Sequence, residues 1–386
     1  MNFWTYINES PLHFWENYIE PGYVSVQSHA EFPLSIYAYG RKTVCEQKWD
    51  GVTTKCRGII VNNLTGEIVS RPFEKFHNYG AGSDAGVEVG LGEPVIWEKM
   101  DGFMCTLYTW EGIDYIASKG SFHSIHAKWA TAWLRAKFGP SMGLPTGYTA
   151  VFEGLHPDLR IVVDYHNRKE LVLLAIIDNE TGEEFDPRNM MMSAAGRGIE
   201  TPHLINTGLA EVHARTMKED AGSGDEGFVL TWYMKGKPPF RLKLKFIEYL
   251  RLHRMVTGVS PKRIWEVLAG NQTPELDEYL KQSTPWFTAF VQKWMKALTL
   301  EYNEIEHGAD ASYGVIQGVL NRQWKESGNI PVRKDWALLI QHTPEFVKYA
   351  GILFAKLDGK DERRIIWKMV KQMTHGHNPM VDAHNT

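Results

Sequence analysis

The sequence predicts an α+β domain built mainly from antiparallel sheets, followed by an all-α domain, and three observations lead there. Between Leu34 and Lys245, short apolar runs with two-residue alternation recur, bounded by Gly, Asn, Asp and Pro. Strands and helices in that stretch do not alternate in βαβ fashion, so a parallel sheet joined by crossover helices is not expected. After Lys245 the apolar period changes to that of helices and holds nearly to the end. At 386 residues the chain has room for two cores, and the change of texture divides it into residues 1–250 and 251–386.

In chain order, the first thirty residues read as short aromatic-rich helical or irregular pieces. Leu34–Tyr39 alternates as a strand. Gly58–Val61 enters a hairpin through Asn62-Asn63 and returns as Glu67–Ser70. Five glycines between Tyr79 and Glu93 predict a mobile loop. Strands follow at Val95–Trp97, Cys105–Trp110 and Tyr115–Ser118, then a helix at Ser124–Phe138 closed by Gly139-Pro140. Further strands are expected at Thr149–Glu153, Arg160–Val163, Leu171–Ile177, Gly227–Trp232 and Phe240–Lys245. Beyond them, Ser260-Pro261, Thr273-Pro274, Thr284-Pro285 and Thr343-Pro344 are helix starts, a hydroxyl at the N-cap with proline at the first helical position. Ile264/Trp265/Leu268, Phe287/Phe290/Val291/Trp294, Trp336/Leu339/Ile340 and Ile365/Ile366/Met369 supply the buried faces. The tail from Thr374 is expected to be disordered.

Composition narrows the function classes. No uninterrupted apolar run has the length of a bilayer span, and the first residues are not a secretory leader, so a soluble protein without a membrane partner is expected. Cys45, Cys56 and Cys105 show neither zinc spacing nor a disulfide framework; small core thiols in a reducing cytoplasm are the simplest reading. The net charge of −4 is unevenly spread. Residues from Arg251 onward hold 18 Lys+Arg against 15 Asp+Glu, leaving 24 against 31 before them. A polyanion can bind such a chain through a local basic groove.

The chemistry centres on Trp97-Glu98-Lys99-Met100-Asp101-Gly102. An apolar strand delivers a lysine to an Asp-Gly turn. Lys99 is a candidate nucleophile toward a nucleotide phosphate, which requires that its ordinary pKa near about 10.4 be depressed. The same tetrapeptide also describes a surface turn with a solvated lysine, and its company has to decide. That company is Lys55-Cys-Arg57-Gly58, Arg71-Pro-Phe-Glu-Lys75-Phe-His-Asn78, Ser118-Lys119-Gly120, Phe152-Glu153-Gly154, Asp225-Glu226-Gly227 and Lys243-Leu-Lys245. Lys243 and Lys245, at i and i+2 of a strand, share one face, with Leu242, Leu244 and Phe246 turned to the core. Two ammoniums held together repel unless an anion lies between them. Glu153 and Glu226 are placed to accept ribose hydroxyls or to orient the water shell of Mg²⁺.

In order and spacing, these motifs resemble the series of the covalent nucleotidyltransferases, the superfamily of ligases and capping enzymes. Within it the match is to the ATP-dependent RNA ligase 1 family of bacteriophages. Arg71-Pro-Phe-Glu-Lys75-Phe-x-Asn78, Leu159-Arg160-Ile161-Val162, Asn179-Glu-Thr-Gly-Glu183 and Tyr249 carry that closer resemblance, over roughly Tyr37 to Tyr249. His77 stands where the family tends to have an aromatic that holds the adenine.

The resemblance implies a nucleotidyltransferase core and a three-step ligation. Lys99 would attack the α-phosphorus of ATP to give lysyl-AMP; AMP would pass to an RNA 5′-phosphate; a 3′-hydroxyl would then displace AMP. Lys243 and Lys245 would neutralise the α-phosphate and lower the pKa of Lys99, and Arg57 and Lys75 would hold the β- and γ-phosphates. Glu226 and Glu153 would contact Mg²⁺, with Mn²⁺ as an alternative metal. Lys119, Glu98, Tyr37 and Tyr249 would line the nucleotide site. A monomer acting on nicked tRNA in the cytoplasm, in the host if phage-encoded, is the expected setting, with the helical domain docking the tRNA. DNA ligases and capping enzymes share the core but continue into an OB-fold, whereas this chain turns helical at once. A non-catalytic RNA-binding protein on the same core would leave no covalent adduct.

Overall fold

The computed structural model describes residues 10–80, 92–159, 162–218, 224–258, 261–270, 280 and 285–370. The α+β class is as the sequence predicts. Two compact units divide the chain, the first running to His253 and the second beginning at Arg254.

The first unit opens with a short helix, α1 (Pro11–Phe14), continued by a wider turn over Trp15–Ile19. Strands β1 (Val24–Ser28), β2 (Leu34–Tyr39), β3 (Arg57–Asn62) and β4 (Ile68–Ser70) then form an antiparallel sheet in sequence order, with α2 (Arg41–Glu46) between β2 and β3. The remaining strands are β5 (His77–Asn78), β6 (Val95–Lys99), β7 (Phe103–Trp110), β8 (Ile113–Ser118), β9 (Tyr148–Leu155), β10 (Glu170–Asp178), β11 (Leu204–Ile205), β12 (Gly227–Trp232) and β13 (Phe240–Lys245). They make two sheets, β10-β9-β7-β8 and β11-β6-β12-β13-β5, antiparallel throughout except for the β13–β5 pair.

Alternation explains how these sheets stack. Leu34, Ile36 and Ile60 of the first sheet pack on Tyr108 and Ala117 of the second and on Phe122 in the segment after β8. The main core joins Phe103, Cys105, Leu107, Phe152, Leu171 and Leu173 to Trp97 of the third sheet and to Ala130 and Leu134 of α3 (Ile125–Phe138). That helix starts as its sequence requires, with the Ser124 side chain accepting from the Ala127 N–H. Two further helices, α4 (Pro187–Gly196) and α5 (Leu209–Thr216), were not expected. Each buries only two residues, Met190 and Ala194 or Val212 and Thr216, a stripe too narrow to stand out as a period.

Other expectations need correction. Val24–Ser28 is a strand, although only Val24 is buried, so it carries almost no alternation to read. Of the strand expected at Arg160–Val163, Arg160 and Ile161 lie outside the described residues, and Val162 and Val163 belong to no strand. Their N–H groups serve Asp101 instead. Cys56 and Cys105 are buried, but Cys45 is exposed on α2 and is not a core thiol. The glycine-rich segment at 81–91, Thr273-Pro274 and the tail also lie outside the described residues.

A helix, α6 (Ile247–Gly258), follows β13 directly, and the unit boundary falls within it. The second unit is helical over its described residues: α7 (Pro261–Gly270), α8 (Pro285–Ser327), α9 (Arg333–His342), α10 (Pro344–Val347), α11 (Ala350–Leu357) and α12 (Arg363–Val370). The 43-residue α8 buries Ile316 and Leu320 against Trp336, Ile340 and Leu353, and Ala309 against Ile352 and Ile366. The Trp265 indole N–H donates to the Trp367 carbonyl at 2.7 Å, tying α7 to α12. No helix among the described residues is long and apolar enough to cross a membrane.

Gly227 opens β12 at φ +147°, and a Cβ there would lie 2.1 Å from the Leu244 carbonyl oxygen. Both the backbone conformation and the space exclude a side chain. Gly227→Ala is expected to cost about 2–4 kcal/mol and to lower Tm in a thermal melt, with β12 and β13 forced apart. An unchanged Tm would contradict the close approach of these two strands.

Candidate active site

The third sheet brings the lysines together. β12 lies between β6 and β13, and Gly227 is the register partner of both Lys99 and Lys245. Glu226, one residue earlier and 3% exposed, therefore stands between two lysines. Its Oε2 accepts from Lys99 Nζ at 2.7 Å and its Oε1 from Lys245 Nζ at 2.7 Å. Glu226 thus bridges Lys245 to Lys99 and not to Lys243, whereas the anion expected from the sequence lies between Lys243 and Lys245. Leu242, Leu244 and Phe246 are buried as strand parity requires, leaving Lys243 and Lys245 on the other face.

These groups line a cavity of about 320 Å³. Of the residues singled out in the sequence, Arg57, Glu98, Lys99, Lys119, Glu153, Glu226, Lys243, Lys245 and Tyr249 line it. Lys75 lines an adjoining cavity of about 130 Å³, where its Nζ donates to the Phe76 carbonyl. Tyr37 belongs to neither. It packs edge-on against Phe14, 6.0 Å between ring centroids, in the cluster of Val24, Cys56 and Ile59. Its place is taken by Tyr39, whose ring lies 3.9 Å from Lys119 Nζ. The β2–β3 register shifts between Tyr37 and Ala38: Tyr37 pairs with Ile59 and Ala38 with Arg57, leaving Gly58 of β3 as the extra residue beside them. His77 likewise lines the adjoining cavity, against Trp49, while its neighbour Phe76 lines both cavities, with Arg57 at 5.2 Å and Lys243 at 5.8 Å from its ring centre.

The Lys99 turn is fastened by its own aspartate, which the sequence marked only as part of a turn. Asp101 is 3% exposed. Its Oδ2 accepts the N–H groups of Val162 and Val163 at 2.8 and 2.7 Å, and its Oδ1 accepts the Tyr249 hydroxyl at 2.7 Å. Its own N–H donates to the Tyr165 hydroxyl oxygen at 2.8 Å. Tyr249, expected beside the nucleoside, thus spends its hydroxyl on Asp101 and lays its ring 4.8 Å from Lys245 Nζ. Gly102 follows because a Cβ would sit 2.3 Å from the Gly154 carbonyl oxygen; this closeness lets the Gly102 N–H donate to Glu153 Oε1 at 3.0 Å. At the far end, Arg241 forms a buried two-pronged pair with Glu184 and lies 4.3 Å from the Phe73 ring centre.

Electrostatics corrects one premise of the sequence reading. Burial works to lower the pKa of Lys99, but Glu226, then Glu153 and Asp101, outweigh it, and the amine is held above its usual value. Glu226 is held below the usual carboxylate range by Lys99 and Lys245 in spite of its burial. Glu153 goes the other way. Burial pushes it up to about 7, aided by the charge of Glu226 and opposed by Lys99. Asp101 is raised to about 6, by burial and then by Glu226. Burial lowers Lys75 and Lys119, and Lys243 is lowered to about 6, by burial and then by Lys75, Lys245, Lys99 and Arg57.

The donor set bears on a metal. Among the described residues no group of three or more His, Cys, Asp and Glu could hold an ion by itself. Mg²⁺ commonly takes only one or two carboxylates and completes its shell with water and substrate phosphates. Glu226 and Glu153 fit that use, since Glu153 is a buried carboxylate whose raised pKa a nearby cation would relieve.

Comparison with known proteins points to the same stretch of chain. The family model RNA_lig_T4_1, described as RNA ligase, matches residues 55–249, more than half of the chain. An RNA ligase of Rhodothermus phage RM378 is 24% identical over 374 residues, covering 80% of this chain and 82% of that one. Among solved structures, a Naegleria gruberi RNA ligase with PPi aligns at 13% identity and a TM-score of 0.34, covering 42% of this chain and 52% of that one. This chain thus spans about half the length of that structure.

The position of Glu153 has a consequence for stability. Its folded pKa of about 7 lies above its ordinary 4.5, so the folded state binds its proton more tightly than the unfolded state does. The contribution of this group is therefore fully present below 4.5 and is lost as pH rises through about 7. Glu153→Gln is expected to remove about 1–3 kcal/mol of the pH-dependent loss over that window. Tm measured against pH should show a flatter slope in the variant than in the parent; equal slopes would contradict the assignment.

Proposed function

The chain belongs to the RNA ligase family, and on that premise we propose that it is an ATP-dependent enzyme joining 5′-phosphate and 3′-hydroxyl ends of RNA. One observation carries the reading: a half-buried lysine at a strand end, paired to a buried carboxylate shared with a second lysine, in a cavity that also holds Arg57, Lys119 and Lys243. A surface turn has no need of that arrangement, and a mere binding platform has no need of a nucleophile.

In the first step the Lys99 amine forms a bond to the α-phosphorus of ATP while pyrophosphate departs with the electron pair of the broken P–O bond. Lys99 must lose a proton first, and Glu226 and Glu153 are the carboxylates beside it. Lys243 and Lys245 face the charge that grows on the α-phosphate, as preorganised cations do in a site of low dielectric. Arg57 presents Nε and Nη1, both buried and without a protein acceptor, to the departing phosphates. Held by Glu226 and Glu153, Mg²⁺ or Mn²⁺ would supply Lewis acidity to the phosphate oxygens. AMP then passes from Lys99 to an RNA 5′-phosphate, and attack by a 3′-hydroxyl forms the phosphodiester and releases AMP.

The physiological substrate in this reading is nicked tRNA, docked in part by the helical unit after Arg254. Two features support it: the more basic C-terminal portion of the chain and a helix directly after β13 where an OB-fold would begin with strands. A DNA ligase or capping enzyme is disfavoured for the second reason.

Incubation with α-labelled ATP and Mg²⁺ should leave an acid-labile label on the chain that pyrophosphate removes. Lys99→Ala should abolish it, and Lys243→Ala should reduce it at least about tenfold with Tm preserved, since that side chain faces the cavity. Full labelling in the Lys99 variant would exclude the assignment. With the intact chain, nicked tRNA should be sealed with higher kcat/KM than a linear oligonucleotide of equal length; equal values would remove the docking role and leave the ligase chemistry standing.

A further inference from the structure

Of Lys99, Lys243 and Lys245, which line the same cavity, two are compensated and one is not. Lys99 and Lys245 each hold a carboxylate oxygen of Glu226. Among the described residues no carboxylate pairs with Lys243. The groups that face it are cations: Lys75 from the segment before β5, Lys99 at the end of β6, Arg57 at the start of β3, and Lys245 on its own strand. The one soft contact is the face of Phe76, 5.8 Å from Nζ. On β12 its register partner is the apolar Val229. The other titratable groups nearby are spoken for. Lys119 interacts with Tyr39, Arg241 with Glu184, and Arg215 of α5 lies against Phe228 and Phe246. His213 of the same helix lies against Tyr79, 5.3 Å between ring centroids.

We propose that a phosphate polyanion entering this cavity brings a proton with it, taken up by Lys243, which is an uncharged amine in the free protein and an ammonium in the complex. The anion is the triphosphate of ATP, so the inference rests on the ligase reading and deepens it. The balance is simple: one proton leaves solvent for the lone pair of Lys243 Nζ, and no covalent bond changes. The cause is the change of neighbour. In the free protein four cations and burial oppose the charge, and the amine sits at about 6. Phosphate oxygens in their midst replace that repulsion with attraction and move the equilibrium toward the ammonium. Linkage is reciprocal, so what raises proton affinity on binding also makes anion affinity fall as pH rises above the free-state value. The slope is at most about tenfold per pH unit for a single proton.

The experiment is calorimetric titration of the full chain with the α,β-methylene analogue of ATP, which binds as a triphosphate but cannot give up pyrophosphate to Lys99. It is run near pH 8, where the ligand is fully ionised, in buffers of differing heats of ionisation. A plot of observed enthalpy against buffer enthalpy should give an uptake of about one proton. Lys243→Arg, charged at every working pH, should bind with little or no uptake. Should that variant misfold, the parent alone still decides the matter, because its association constant is expected to fall about tenfold from pH 7.5 to 8.5. Binding without uptake and with a flat pH profile, or equal uptake in the Arg variant, overturns the inference and leaves the ligase reading intact. If the parent neither binds the analogue nor forms a labelled adduct with ATP, the ligase reading fails and this inference fails with it.

Discussion

The site depends on one carboxylate doing two jobs. Glu226 holds Lys99 on one oxygen and Lys245 on the other, which is available only because β12 is the middle strand and Gly227 lies opposite both lysines. A slip of one residue on either side would turn a lysine to the opposite face. Without the carboxylate, Lys99 and Lys245 would lose the group that pairs them, and Lys99 would keep only the fields of Glu153 and Asp101. With it, the pairing of both lysines across β12 and the charge state of Lys99 lean chiefly on one group.

A second group fixes the turn that follows. Asp101 gathers two backbone N–H groups from the Val162–Val163 segment and the hydroxyl of Tyr249, and its own N–H reaches Tyr165. Two segments far apart in sequence, 162–165 and Tyr249, are thereby tied to the residue two places after Lys99. The apposition of Gly102 to Gly154 does the same for Glu153. Lys99 thus sits on a strand end whose exit is held from several directions, the kind of support that keeps a side chain within a fraction of an ångström of its position.

How much of this was legible in the sequence depended on how local each cause is. Strand parity is local, so the shared face of Lys243 and Lys245 and the buried face of Leu242, Leu244 and Phe246 could be read directly. The expectation for Tyr37 came from the resemblance, whereas the tyrosine that lines the cavity is Tyr39; Tyr37 packs against Phe14, a contact that the alternation of β2 does not reveal. The helix at Ile125–Phe138 was legible through its serine cap, while α4 and α5, with two buried residues each, were not. Charge state was the least legible property. Counting nearby cations led to the expectation of a depressed Lys99, whereas the outcome turned on which lysines share Glu226, a fact of pairing across β12. Lys243, left outside that pairing, is lowered to about 6.

Taken together, the titratable groups show a cavity misfitted in two opposite senses. On one side Glu153 and Asp101 are pushed up, carboxylates short of positive charge; on the other Lys243, Lys119 and Lys75 are pushed down, amines short of negative charge. The protein does not close the gap by pairing the two sets, since only Glu226 crosses it. A ligand of one sign would relieve one side and worsen the other. A polyphosphate accompanied by a divalent cation relieves both, because the anion serves the lysines and the cation serves the carboxylates. Groups already fixed in place, and unsatisfied until such a ligand arrives, need little rearrangement when the charge of a phosphoryl transfer develops among them.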